Sequence, residues 1–308
     1  MRASPKILPQ LLVPFAAGAF LLVGTAFVPA PGVGAAAAGT DLAARGKYIF
    51  AAATCGECHT VEGKELAGGG RRFDGPFGTI YSTNITPDQQ TGIGGWTDDQ
   101  IINAIRLGRQ PNGEHLIPVH PHLSLRGMAD DDARGLVAYL RAVPTVSRLN
   151  QPKRIKVPLF ESVFLPAWVA AFGPRGDPPA AAPASGVPRG EYLVRAVSHC
   201  GECHTPRTIT MTMDNARFLA GNPSGLIESA KVPNITPDKD TGIGAWTAEQ
   251  IAHFLATGNK PDGDQAEGLM GELIQGASGG YRDLTKADRL AIAQYLKTIP
   301  PIRNKIRQ

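Results

Sequence analysis

The chain has 308 residues and is nearly balanced in charge, with 31 basic and 27 acidic side chains. This balance argues against nucleic acid as a partner, and the length predicts two domains rather than one. Aromatic residues make up only 6% of the sequence, so another apolar group is expected to fill part of the core.

The N-terminus has the pattern of a secretory signal. Arg2 and Lys6 precede an apolar run, Leu11–Val28, and Ala35–Ala37 offers a cleavage site. We therefore predict that residues 1–38 are a signal peptide and that the mature protein is periplasmic. An uncleaved anchor is the alternative, because a run of about eighteen apolar residues can just cross a bilayer; the protein would then be attached to the outer face of the inner membrane.

One pentad, Cys-Gly-Glu-Cys-His, occurs twice, and together the two copies use all four cysteines. C-x-x-C-H is the attachment signature of c-type haem. The two thiols can form thioethers to one porphyrin, and the adjacent histidine supplies the proximal nitrogen to iron. The predicted attachment residues are Cys55, Cys58, Cys200 and Cys203, with His59 and His204 as iron ligands. The expected cofactor is two covalently bound haem c groups.

Two other interpretations of the cysteines fit less well. A four-cysteine zinc site would not require a histidine at the same offset in both copies. A pair of redox C-x-x-C motifs would be expected within a β-α-β pattern, which the sequence lacks.

Longer stretches of the sequence also repeat. Asn84–Asp88 recurs as Asn234–Asp238, and Thr91–Thr97 recurs with one change as Thr241–Thr247, both 150 positions later. A repeat at this spacing indicates a duplicated module. The modules are predicted to span residues 41–149 and 187–303.

Residues 150–186 connect the two modules. Val157–Phe172 is mostly apolar but too short to span a membrane. It is either a strap packed across the modules or a hydrophobic dock for a partner or a membrane surface. Gly173–Pro188 is rich in proline and alanine and is predicted to be an extended linker.

Each module is predicted to contain three helices. The middle helices begin at Thr97 and Thr247, each followed by glutamine in a capping-box pattern, and end at Gly108 and Gly258. The first and last helices are predicted at Leu42–Ala53 and Asp130–Val143 in module one, and at Gly190–Val197 and Lys286–Ile299 in module two. Gly46 and Gly190 should let the first helix cross the last one closely. Strand signals are nearly absent.

This order of elements resembles the class I cytochrome c fold, present twice. The predicted architecture is therefore all-α, with two tandem class I cytochrome c modules joined by a Pro/Ala-rich linker. The stretch Pro76–Thr97 resembles modules of the membrane-associated cytochrome subunits of periplasmic alcohol, aldehyde and gluconate dehydrogenases. Those subunits commonly carry three haem modules, whereas this chain has two.

The resemblance implies a distal iron ligand in each module. In module two it points to Met270, which lies 66 residues after His204. In module one, similar modules place a methionine where this chain has His120, nineteen residues before Tyr139. His120 is the first candidate and Met128 the alternative, with His122 or an open iron also considered. Imidazole stabilises ferric iron more than thioether does, so a His120 ligand would give the first haem the lower potential, and electrons would flow from it to the second.

Trp96 and Trp246 occupy the same place in the two repeats. The resemblance implies that each indole N–H reaches a haem propionate while the ring covers the haem edge. An ordinary core role is the alternative for both.

The function predicted from these features is electron carriage rather than catalysis. A di-haem c-type cytochrome would relay electrons from a periplasmic dehydrogenase to the respiratory chain, with a quinone, another cytochrome or an oxidase as acceptor. Association with a membrane surface is compatible with this function. The alternative is a di-haem peroxidase with a displaceable histidine, His120, at the first haem.

Overall fold

The computed structural model describes residues 33–173, 175–224 and 231–306. The apolar run assigned to the signal peptide lies outside these residues. Within the described ranges, no helix is both long enough and apolar enough to cross a bilayer.

The structure is mostly helical. The first half contains α1 (Val33–Ala52), α2 (Cys55–His59), α3 (Asp98–Leu107), α4 (His122–Leu125) and α5 (Asp130–Ala142). A π-helical turn (Phe160–Phe164) and α6 (Leu165–Phe172) follow. The second half contains α7 (Gly186–Tyr192), which continues as a π-helical turn to Val197, then α8 (Cys200–His204), α9 (Ala248–Thr257), α10 (Gly268–Gln275) and α11 (Lys286–Thr298). Short 3-10 turns lie at Asn215–Arg217 and Tyr281–Asp283.

The middle helices begin and end where the sequence predicts. The Gln100 N–H donates to the Thr97 hydroxyl at 3.2 Å, and the Thr97 N–H donates to the Gln100 side chain at 2.8 Å. The same reciprocal pair caps α9. Gly108 and Gly258 end the two helices with φ of 60° and 77°, a left-handed conformation that suits glycine. A cap of this kind stabilises a helix by about 1 kcal/mol.

The predicted close crossing of first and last helices is confirmed in both halves. A Cβ on Gly46 of α1 would lie 1.8 Å from the Gly135 carbonyl oxygen of α5. A Cβ on Gly190 of α7 would lie 1.9 Å from the Ala291 carbonyl oxygen of α11. In each half, the backbones of the two helices are therefore in direct contact.

A small three-stranded sheet corrects the all-α prediction. It contains β1 (Arg72–Gly75), β2 (Gly78–Tyr81) and β3 (Arg154–Ile155), with antiparallel pairing throughout. β1 and β2 form a hairpin in which Phe73 faces Ile80. β3 pairs with β2, although more than seventy residues of chain separate the two strands. No local pattern in the sequence could reveal that contact.

The apolar segment Val157–Phe172 lies along the surface. Leu165 is buried, whereas Leu159, Val163 and Phe164 are 65%, 51% and 56% exposed. The Trp168 indole N–H donates to the Thr210 carbonyl at 2.7 Å, which fastens α6 to the second half. Much of the segment is therefore not the packed strap considered from the sequence, because Leu159, Val163, Phe164 and Phe172 are exposed.

Candidate haem-binding sites

Each Cys-Gly-Glu-Cys-His pentad forms a short helix of its own, α2 in the first half and α8 in the second. Each of these helices follows the first helix of its half. The residue before each pentad has a left-handed backbone: Thr54 with φ of 50° and His199 with φ of 38°. A left-handed residue turns the chain sharply, and this conformation is uncommon for a residue with a side chain. The turn lies at the same place in both halves. The turn sets the direction in which both pentads leave the preceding helix.

Burial controls the chemistry of the four thiols. It raises the pKa of Cys55 and Cys200 to about 12, and that of Cys58 and Cys203 to about 11. A redox pair depends on thiolate, which such thiols do not form readily. Among the described residues, no group of three or more His, Cys, Asp or Glu side chains is arranged to hold a metal ion. The structure therefore disfavours the zinc and redox interpretations.

Each pentad histidine is fixed by a backbone carbonyl. His59 Nδ1 donates to the Thr83 carbonyl at 2.7 Å, and His204 Nδ1 donates to the Pro233 carbonyl at 2.8 Å. This hydrogen bond places the proton on Nδ1 and leaves Nε2 free to bind a metal. Burial lowers the pKa of both histidines, which favours the neutral imidazole that a metal requires.

The repeated Asn-Ile-Thr-Pro-Asp turns hold those carbonyls in place. Each asparagine directly follows the carbonyl residue and is nearly fully buried. The Asn84 amide donates to the Val146 carbonyl at 2.6 Å, and the Asn234 amide donates to the Ile302 carbonyl at 2.7 Å. Both acceptors lie just after the last helix of their half. This repeated motif therefore links the histidine-orienting segment to the segment after the last helix in each half.

Near the first pentad, the structure brings His120 into the neighbourhood of His59. Burial lowers the pKa of His120 well below its ordinary value, and the nearby His122, His59 and His199 lower it further. The His122 ring stacks on His120 with centroids 6.1 Å apart, and His122 Nδ1 donates to the His120 carbonyl at 3.0 Å. His122 is fully buried.

Met128 has a different environment. Its side chain is fully buried in the hydrophobic core, and its carbonyl accepts a hydrogen bond from Arg106 at 2.6 Å. In the second half, Met270 lies on α10, partly buried against the core. Trp96 and Trp246 are also partly buried against the core, and the Trp246 carbonyl accepts from Lys297 at 2.9 Å.

The glutamates inside the pentads were missed as functional candidates. Arg71 donates to the Glu57 carbonyl and Arg207 donates to the Glu202 carbonyl, both at 2.7 Å. The Arg207 side chain also forms a buried ion pair with the Glu202 carboxylate at 2.7 Å. Its internal partner could have been suspected from the repeated glutamate, but the pairing itself depends on the fold.

The residues of both sites fit haem c. Each site offers two protonated thiols spaced by two residues, which is the set that thioether attachment consumes. Each also offers a neutral imidazole whose Nε2 is left free by the hydrogen bond at Nδ1. Carbonyl-oriented imidazole is the usual arrangement of a metal-binding histidine.

Comparison with known proteins is consistent with this geometry. The family model described as cytochrome c matches residues 43–144. The chain is 38% identical over 275 residues to a diheme cytochrome c-type protein of Cereibacter sphaeroides. The matched region covers 85% of this chain and 88% of the relative.

Two dehydrogenase subunits are also similar. The chain is 36% identical over 266 residues to the cytochrome c subunit of gluconate 2-dehydrogenase from Pantoea cypripedii, covering 84% of this chain and 59% of that subunit. It is 35% identical over 304 residues to the cytochrome c subunit of the quinone alcohol dehydrogenase from Gluconacetobacter polyoxogenes, covering 95% of this chain and 62% of that subunit. The chain therefore spans about three fifths of the length of these two subunits.

Proposed function

The chain belongs to the cytochrome c family, and from this premise we propose that it is a di-haem c-type cytochrome that relays electrons from a periplasmic dehydrogenase to the respiratory chain. The observation that carries the proposal is the repeated site, in which two thiols and a carbonyl-oriented imidazole recur in both halves. When bound, haem c supplies a one-electron redox centre to each site. The role is that of an electron carrier rather than an enzyme.

The two sites belong to two tandem class I cytochrome c modules. We assign residues 41–149 to the first module and residues 187–303 to the second, joined by residues 150–186. The matched helix crossings and matched capping boxes in both halves support this division. The similarity over 88% of a relative named as diheme supports two cofactors.

The iron ligands are assigned by the same reasoning. His59 and His204 are the proximal ligands, and Met270 is the distal ligand of the second site. His120 is the distal candidate of the first site, supported by its interaction with His59. Met128, the alternative, is buried in the core and its carbonyl is held by Arg106. Trp96 and Trp246 remain the candidates for hydrogen bonds to the propionates.

A ligand substitution tests both the assignment and the carrier function. Met270→Ala should abolish the methionine–iron charge-transfer band of the oxidised protein, because only the second site has a methionine ligand. The unmodified protein should not bind carbon monoxide when reduced, whereas Met270→Ala should bind it at one site. Met211→Ala is the control, since Met211 is 47% exposed.

Other outcomes would change the assignment. Two methionine–iron bands per chain would favour Met128 over His120. Carbon monoxide binding by the unmodified protein, together with enzymatic consumption of peroxide, would contradict the carrier function. The dehydrogenase subunits among the relatives favour the carrier, and none of the relatives described above is a peroxidase.

We assign the partners by analogy with the relatives and by the surface of the connecting segment. A dehydrogenase is the donor, and a quinone, cytochrome or oxidase is the acceptor. The exposed apolar face of α6 and the preceding turn suits a bilayer surface, because the exposed cations Arg154, Lys156 and Arg175 flank it. Apolar and basic residues in this arrangement are typical of interfacial anchoring to anionic lipids. The predicted location is thus periplasmic, at the outer face of the inner membrane.

Vesicle binding tests the membrane assignment. The protein should sediment with phosphatidylglycerol vesicles, and replacing Leu159 and Phe164 together by serine should weaken binding at least about tenfold, since each apolar side chain contributes about 1.5–3 kcal/mol when buried. Leu149→Ser is the control, because Leu149 is 81% exposed but lies outside the segment. If the unmodified protein does not sediment, the membrane assignment is wrong, and a protein partner is then the expected contact of the exposed apolar segment.

A further inference from the structure

Two tyrosines connect the halves of the molecule in a reciprocal way. Tyr48 on α1 donates to the Asp288 carboxylate on α11 at 2.6 Å. Tyr192 on α7 donates to the Asp132 carboxylate on α5 at 2.5 Å. The two tyrosines are equivalent positions of the repeat, each two residues after the crossing glycine, and each aspartate is the third residue of its helix. Reciprocal contacts between equivalent positions are what an internal two-fold axis produces.

In each cross-link, the aspartate and the tyrosine hydroxyl both make further hydrogen bonds. Within the first half, Arg45 donates to Asp132 at 2.7 Å, and within the second half Arg189 donates to Asp288 at 3.0 and 2.8 Å. Both tyrosine hydroxyls also accept the backbone N–H of the residue that precedes the aspartate-bearing helix, at 3.0 and 3.3 Å. Burial and the neighbouring Asp288 raise the pKa of Tyr48 to about 12, so its hydroxyl remains a donor.

The cross-linked surfaces carry the two pentads. A Cβ on Gly56, inside the first pentad, would lie 2.5 Å from the Cβ of Ser278 in the second half. In the opposite direction, the Ser124 hydroxyl of the first half donates to the carboxylate of Glu202, inside the second pentad, at 2.6 Å. Each pentad is therefore packed against a loop or helix of the other half.

Tyr281 contacts the segment that leads into the second pentad. It is 4% exposed, and its hydroxyl donates to the Ser198 carbonyl at 3.1 Å, two residues before the second pentad. The residue before the second pentad also contacts the turn before the first pentad, because His199 Nε2 donates to the Ala53 carbonyl at 3.2 Å. The two attachment helices are thus neighbours across the interface.

We propose that the Tyr48–Asp288 and Tyr192–Asp132 cross-links are positioning elements that hold the two haem-attachment helices, α2 and α8, side by side in one fixed arrangement. The inference rests on the proposed function, since it requires haem c at both sites. Relative motion is the default for two domains joined by a linker. The charged hydrogen bonds of both cross-links oppose that motion, as rigid support does in other functional sites.

Circular dichroism in the Soret region of the holoprotein tests this inference. Two haems with overlapping Soret bands, held close together in one orientation, give a two-signed couplet, and its amplitude depends on the orientation being fixed. The unmodified protein should show the couplet. The double variant Tyr48→Phe/Tyr192→Phe should lose most of it, while retaining two haems per chain and the same absorption maxima, because only the cross-linking hydroxyls are removed.

Single variants and a matched control complete the test. Tyr48→Phe and Tyr192→Phe alone should each show an intermediate couplet, which keeps the test decisive if the double variant does not fold. Tyr81→Phe on β2, away from this interface, should leave the couplet unchanged. A full couplet in the double variant would overturn the inference, as would the absence of a couplet in unmodified protein that carries two haems. Fewer than two haems in the unmodified protein would instead overturn the proposed function, and this inference with it.

Discussion

Replacing Gly46 by alanine is expected to destabilise the folded protein by about 3 kcal/mol, at the upper end of the usual cost of overpacking. The added Cβ would lie 1.8 Å from the Gly135 carbonyl oxygen and 2.7 Å from the Tyr139 Cβ. The first of these neighbours is backbone, so a change of side-chain rotamer cannot relieve the clash. Helices α1 and α5 would have to separate, which would disturb the turn that carries the first pentad.

Chemical denaturation followed by far-ultraviolet circular dichroism measures this effect as a lower midpoint. Gly95→Ala is the matched control, because its nearest neighbour would lie 3.6 Å away. The second half already has Ala245 at the equivalent position, so this change should alter stability by less than about 0.5 kcal/mol. Equal midpoints for Gly46→Ala and Gly95→Ala would contradict the backbone-to-backbone crossing.

Replacing Arg207 by methionine is expected to cost about 3–5 kcal/mol, the usual cost of removing one partner of a buried ion pair. The Arg207 and Glu202 side chains are only 9% and 7% exposed, and their charged atoms lie 2.7 Å apart. Without the guanidinium, the Glu202 carboxylate would keep the neutral hydroxyl of Ser124 as a donor but would lose its cation. The second pentad would then contain an uncompensated buried charge.

Two comparisons separate this effect from a general loss of arginine. Adding Glu202→Gln to Arg207→Met should recover most of the lost stability, because a neutral amide does not need the cation. Arg72→Met should cost less than about 1 kcal/mol, since the Arg72–Asp74 pair is 62% and 58% exposed. If Arg207→Met were as mild as Arg72→Met, the ion pair would not support the second pentad.

The features that the sequence predicted are those encoded over short distances. The pentads, the threonine–glutamine caps and the glycines at helix ends each depend on residues within one or two turns. The crossings at Gly46 and Gly190 were also predictable, because the repeat shows each glycine in the same place before a final helix. Met270 and His120 came from resemblance to a family and remain proposals.

The features that the sequence did not predict depend on contacts between distant residues. The pairing of β2 with β3 joins segments that no local pattern connects. The role of Asn84 is evident only once the Val146 carbonyl is placed beside it. The Tyr48–Asp288 contact crosses 240 positions, so neither residue carries a local signal of its partner. The exposure of Phe164 likewise depends on which surfaces the rest of the chain leaves uncovered.

The number of haems covalently attached to each chain decides whether both pentads are haem-attachment sites. Mass measurement of the denatured holoprotein should show two haems per chain, because Cys55 and Cys58 hold one and Cys200 and Cys203 hold the other through bonds that survive unfolding. The variant Cys200→Ala/Cys203→Ala should retain one haem. A single haem on the unmodified chain, or four free thiols with bound zinc, would contradict the account.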